Sequence, residues 1–252
     1  MVKGLELFRE HFREYTDRYV LIGGAACDLA MGEAGLDFRA TKDLDIVLCV
    51  EALDKTFVEA FWKFIHDGKY QLQELSTGKK QYYRFQKPKT EGYPFMLELF
   101  SRIPDALSLA ADSHLTPIPT DEDVSSLSAI LLDDDYYRFL HSGKKELDGL
   151  SFVGPEHLVP LKAKAWLDLS ERRNQGETID SKVIKKHKND VFRLYQIMSP
   201  DFDGEVPDSI KDDLREFFSR MEMEEIDFKS LGLGTTDRKS ILAGIRMIYN
   251  LD

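Results

Sequence analysis

Two glycines and two aspartates are the residues in this sequence best arranged for chemistry. Gly23-Gly24 follows the apolar run Tyr19–Ile22, and Asp43-Leu44-Asp45 leads straight into Ile46-Val47-Leu48. Side chains two apart on an extended strand share a face, so Asp43 and Asp45 project together while Leu44, Ile46 and Val47 anchor the strand. Adjacent carboxylates repel unless a cation lies between them, and hard oxygen ligands suit Mg²⁺. A glycine pair has no Cβ atoms, so its backbone N–H groups can approach a phosphate at a helix N-terminus. The combination points to a metal–nucleotide site. An Asp-x-Asp pattern alone also fits a solvated strand end; the preceding strand, glycine pair and helix-length spacer argue for the functional reading.

The elements that must position these residues are legible from periodicity. Leu5, Phe8, Phe12 and Tyr15 recur at helical spacing, which predicts an amphipathic helix over residues 3–17. Tyr19–Ile22 reads as a buried strand, the Ala-rich segment after Gly24 as one to two turns of helix, and Asp43–Val50 as the next strand. Leu53–Asp67 places Phe57, Phe61, Phe64 and Ile65 on one helical face, an aromatic stripe read as packing. Lys80–Gln86 and Phe95–Phe100 read as strands around the turn-rich Lys87–Pro94, and residues 104–122 as an irregular connection. From Asp123 onward a helical period dominates, over 125–141, 155–174, 181–198, 207–222 and 236–250, with Pro155 at a helix start and Gly176 at a stop.

The glycine pair, helix and Asp-x-Asp strand together resemble the nucleotidyltransferase superfamily of the DNA polymerase β type. Arg39-Ala-Thr-Lys42 resembles the lead-in of its AbiEii branch, the toxin components of abortive-infection and toxin–antitoxin operons. The resemblance implies metal ligation by Asp43 and Asp45 and nucleotide binding around Gly23, Gly24, Thr41 and Lys42. It also places a third acid on the strand beside the Asp-x-Asp strand. Glu98, interrupting the apolar run Phe95–Phe100, is the candidate, because a charge there is costly unless it is paired, ligates a metal or reaches the edge. The competing reading has Met96 and Glu98 facing solvent while Phe95, Leu97 and Leu99 face inward.

A second region, residues 157–194, is similar to the C-terminal motifs of the same branch. A Lys-x-x-Ala step puts Lys162 on the family lysine, with Lys164 close enough to compete, and the C-terminal aspartate falls on Asp190. Many relatives carry a further acid three residues on; here that position is Arg193. A lysine can neutralise triphosphate charge, and an aspartate can orient that lysine or take a proton from an acceptor. A surface pairing between two helices is the alternative. The resemblance spans about residues 19–198 and leaves 199–252 without a counterpart.

Composition bounds the remaining possibilities. With 252 residues, 42% of them apolar, the chain can bury a sizeable core in one large or two modest domains. Two cysteines, Cys27 and Cys49, fall in or beside core elements and suggest neither a disulfide framework nor a zinc site. The opening segment lacks the apolar region of a signal peptide, and no apolar run is long enough to cross a bilayer, so a cytoplasmic, membrane-free protein is expected. A net charge of −11 argues against a broad electropositive surface, while the basic stretch Lys182–Lys188 leaves room for a local one.

The expected fold is an α/β (α+β) core with a mixed sheet over residues 1–150, followed by an all-helical domain over 151–252, with the active site in the cleft between them. The expected catalytic set is Asp43, Asp45, Glu98, Lys162, Lys164 and Asp190, with Mg²⁺ or Mn²⁺ as cofactor and an NTP as substrate. The resemblance implies a tRNA end or a protein hydroxyl as acceptor and a cognate antitoxin as partner. A catalytically silent nucleotide-binding or interaction protein of the same fold is the alternative. A metal-dependent glycosyltransferase also uses Asp-x-Asp, but without Gly-Gly ahead of the dyad.

Overall fold

The computed structural model describes residues 2–49, 53–72, 82–101, 130–131 and 133–251. The expected irregular connection at 104–122 lies outside them. The chain divides into two units, one of residues 1–120 with 144–153 and one of 121–143 with 154–252.

The first unit holds a mixed sheet. Its strands are β1 (Tyr19–Ile22), β2 (Asp43–Leu48), β3 (Gln71–Leu72), β4 (Tyr82–Gln86), β5 (Met96–Phe100), β6 (Lys144–Leu147) and β7 (Leu150–Val153), in the spatial order β3-β4-β5-β2-β1-β7-β6. β2 runs antiparallel to β1 and parallel to β5, and β7 runs parallel to β1. Helices α1 (Leu5–Phe12), α2 (Gly23–Glu33) and α3 (Lys55–Asp67) belong to this unit.

The aromatic stripe on α3 is packing, as its spacing predicts. Phe57, Phe61 and Phe64 are all buried, and Phe12 lies 5.3 to 6.0 Å from each of their rings. The Asp54 side chain caps α3 by accepting from the Phe57 N–H at 2.9 Å, which starts the helix at Lys55 rather than at Leu53. The opening helix is shorter than expected, because Arg13–Tyr15 tightens into a 3₁₀ turn. α2 is longer, at 11 residues in place of one to two turns, since its Ala-rich face is buried and Gly32 does not break it.

The hairpin β6–β7 departs from the helical reading of the later chain. Its turn, Asp148-Gly149, has φ of +51° and +79°, the left-handed pair of a type I′ turn for which Asp-Gly is a preferred sequence. The hairpin extends the sheet beyond β1, so the division expected after residue 150 falls inside β7.

In the second unit the described elements are helices: α4 (Asp134–Ser142), α5 (Pro155–Asn174), α6 (Ser181–Tyr195), α7 (Asp208–Met221) and α8 (Arg238–Ile248). Pro155 occupies the first turn of α5, where its missing N–H costs nothing, and Gly176, at φ +98°, follows the helix end. Among the described residues no helix is long and apolar enough to cross a membrane. Both cysteines are buried and unbridged, in keeping with small apolar residues.

Candidate functional site

Register sets the geometry of the first unit's site. Asp45 lies opposite Ile22 on β1 and opposite Glu98 on β5, and Glu98 in turn lies opposite Arg84 on β4. Directly paired residues on neighbouring strands share a face, with strands about 4.8 Å apart, so Asp45, Glu98 and Arg84 form one row across the sheet. Asp43, two residues before Asp45, projects from the same face, level with Met96. Both aspartates are half-buried.

The glycine pair begins α2 immediately above this row. Gly23 has φ +64°, and a Cβ built on it would sit 1.7 Å from Asp45 Oδ2. A Cβ on Gly24 would sit 2.5 Å from Thr41 Oγ1. The glycines therefore do more than turn the chain. They let the first turn of α2 close onto the Asp45 carboxylate and the Thr41 hydroxyl, where any side chain would collide. Lys42, between Thr41 and the dyad, is exposed.

Glu98 fits neither sequence expectation in full. It is buried at 6% exposure, so the solvent-facing alternative fails, and Phe95, expected to face inward, is 48% exposed. The shift arises because β5 begins at Met96 and both faces of its later residues are covered. Glu98 shares a face with Asp45, as a third carboxylate would, but its Oε1 accepts from Arg84 Nε at 2.8 Å and pairs with Nη2 at 2.6 Å. Arg84 is a residue that sequence reasoning misses. It reads there as an ordinary polar residue in the alternating run Tyr82–Gln86, and only strand pairing reveals its partner.

The donor set bears on what could bind. Among the described residues no three His, Cys, Asp or Glu side chains form a ready metal cluster. With Glu98 held by Arg84, the other two carboxylates on this face, Asp43 and Asp45, are hard oxygen donors of the kind that suits a divalent cation.

In the second unit the structure separates the two candidate lysines. Lys162, buried on α5, lies 3.6 Å from Asp190 Oδ2 on α6, and Asp190 is fully buried. Arg193 Nη1 approaches the other carboxylate oxygen at 3.3 Å, so Arg193 is a second cation on Asp190. Lys164 points elsewhere, donating to Asp213 Oδ1 on α7 at 2.7 Å. Asp213 also accepts from the Tyr136 hydroxyl at 2.9 Å, and burial first, then the Asp213 charge, pushes that phenol well above its usual range. Two positions apart on a helix means nearly opposite faces, so the lysines cannot share one ligand face.

The basic stretch on α6 is likewise divided. Lys182 and Lys185 are exposed, whereas Lys188 is buried and donates to Glu224 Oε2 at 2.5 Å and to the Glu225 carbonyl at 3.0 Å.

No protein-family model and no curated protein matches the chain. Among solved structures it is similar in fold to an antigenic nucleotidyltransferase-like protein from Paracoccidioides brasiliensis, with 15% identity, a TM-score of 0.49, and coverage of 95% of this chain and 96% of that one.

Proposed function

We propose that this chain is a divalent-metal-dependent nucleotidyltransferase that transfers NMP from an NTP to a hydroxyl acceptor. The observation that carries the reading is the closure of Gly23 onto Asp45, which sets a helix N-terminus beside a pair of carboxylates on one sheet face. Backbone N–H groups at such a terminus suit phosphate oxygens, and the carboxylates suit the cation that accompanies them.

Asp43 and Asp45 would hold Mg²⁺ or Mn²⁺; when bound, the ion supplies charge neutralisation and polarisation of the phosphoryl oxygens. The first turn of α2 orients the phosphates through donors that no side chain obstructs. The acceptor hydroxyl attacks the α-phosphorus in line and releases its proton to water, the bond from the α-phosphorus to the oxygen that bridges it to the β-phosphate breaks, and pyrophosphate leaves with that electron pair. Arg84 offsets Glu98, which keeps the third carboxylate from adding its repulsion to the dyad. Of the two lysines, Lys162 rather than Lys164 is the one that Asp190 holds. Asp190, buried between Lys162 and Arg193, acts by orienting that lysine rather than as a base. A tRNA end or a protein hydroxyl is the acceptor class we propose, with a cognate antitoxin as the partner in an abortive-infection or toxin–antitoxin setting.

Incubating the protein with each labelled NTP and total bacterial RNA, with Mg²⁺ and with EDTA, tests the reading. Label incorporated into RNA or into protein only with the metal supports it. Metal-dependent nucleotide binding without incorporation would move the chain to the silent-binder alternative.

A further inference from the structure

The second unit carries a groove that the catalytic reading does not use. It lies among the C-terminal half of α5, the first turns of α6 and the end of α7, with a volume of about 950 Å³. Arg173, Lys182 and Lys185 line it, and among the described residues none of the three is paired with a carboxylate. The acids nearby are already engaged: Glu224 holds Lys188, Glu216 holds Arg220, and Asp180 caps α6 by accepting the Lys182 N–H at 2.9 Å. Three uncompensated cations thus converge on one concavity of a chain whose net charge is −11.

The rest of the lining suits an extended anion. Ser170, Ser181 and Ser219 bring hydroxyls to the walls, and Met223, 89% exposed, stands at the rim. Lys182 and Lys185 are three apart on α6 and therefore neighbours on its surface, about 5–6 Å between Cβ atoms, close to the spacing of successive phosphates. A carboxylate offers two acceptor oxygens, whereas a phosphate offers more, so a row of phosphates can engage the cations and the hydroxyls together.

We propose that this groove binds a row of phosphate oxyanions, supplied by a single-stranded RNA backbone or by a free oligophosphate. Binding here needs neither NTP nor metal, so it stands or falls separately from nucleotidyl transfer.

The test is equilibrium binding of the full chain, without nucleotide, to a labelled single-stranded RNA of roughly 12 nucleotides and to tripolyphosphate. The variants are Arg173→Ala/Lys182→Ala/Lys185→Ala and, as a control, Lys229→Ala/Lys239→Ala, which removes exposed cations outside the groove. For RNA the triple variant should bind at least about tenfold more weakly, with a log–log salt slope shallower by about 2, while the control stays near wild type. RNA binding lost in this way assigns the groove to nucleic acid; loss confined to tripolyphosphate assigns it to small oligophosphates. Equal losses in triple variant and control, unchanged binding in the triple variant, or no binding of either probe by the wild type would overturn the proposal.

Discussion

Gly23 and Asp45 occupy one another's space: the place a Cβ would take on the glycine lies 1.7 Å from the aspartate's Oδ2. Far apart in sequence, they meet because Ile22 pairs with Asp45 across β1 and β2, and the next residue starts α2. The relationship ties a glycine to a carboxylate more tightly than a turn requirement would. Gly23→Ala should lose stability through both the collision and the positive φ. Gly24→Ala should cost less, since it meets the movable Thr41 hydroxyl. A double-mutant cycle decides the point. Gly23→Ala combined with Asp45→Ala should recover part of the lost stability, with a coupling of about 0.5–3 kcal/mol; additive losses would show that the contact is not the cause.

The Arg84–Glu98 pair gives a second prediction. Arg84→Ala leaves a buried carboxylate without its guanidinium and should destabilise the fold by about 3–5 kcal/mol. Adding Glu98→Gln should recover most of that loss in urea unfolding. A second substitution that made matters worse would mean that Glu98 is held chiefly by something other than Arg84.

Asp190 predicts an asymmetry among its neighbours. Asp190→Asn removes the buried carboxylate that Lys162 and Arg193 share and should cost about 3–5 kcal/mol. Lys162→Met leaves Asp190 with Arg193 at 3.3 Å and should cost less. Lys164→Ala removes a half-exposed pair and should cost about 1 kcal/mol or less. Urea midpoints in any other order would contradict these pairings.

Much of this is readable in the sequence, for definite reasons. Gly23-Gly24, Asp43 and Asp45 declare themselves because strand periodicity and glycine spacing are local properties. α5 begins at Pro155 and ends at Asn174, as expected, since its proline and the following glycine mark its ends. Arg84 stays hidden because its meaning lies in a cross-strand partner fourteen residues away, which no local pattern specifies. The β6–β7 hairpin escapes notice although Asp148-Gly149 advertises it; the charged run Lys144-Lys145-Glu146 dilutes the strand signal. Lys162 and Lys164 are inseparable in sequence because only the positions of α6 and α7 give each its own acid.

The α3 cap predicts a pH dependence. The Thr56 hydroxyl, then the Phe57 N–H and the Arg18 charge, hold the Asp54 carboxyl below its usual range. A depressed carboxyl contributes stability above its unfolded value, near pH 3.9, and that stability fades as pH falls toward the folded value. Asp54→Asn keeps a capping oxygen but does not titrate. The Tm advantage of wild type over this variant should be present at neutral pH and be lost as acidification protonates the Asp54 carboxyl; an advantage that grew on acidification would contradict the assignment.

The central claim is that Asp43 and Asp45 hold the metal for nucleotidyl transfer. It is tested most directly by metal-dependent incorporation of labelled NTP with wild type, Asp43→Asn and Asp45→Asn. Each substitution removes a ligand while relieving carboxylate repulsion, so both variants should remain folded, with a thermal midpoint at or slightly above that of wild type, and show no transfer. Transfer within about tenfold of wild type in either folded variant, a barrier change of only about 1.4 kcal/mol, would contradict the account.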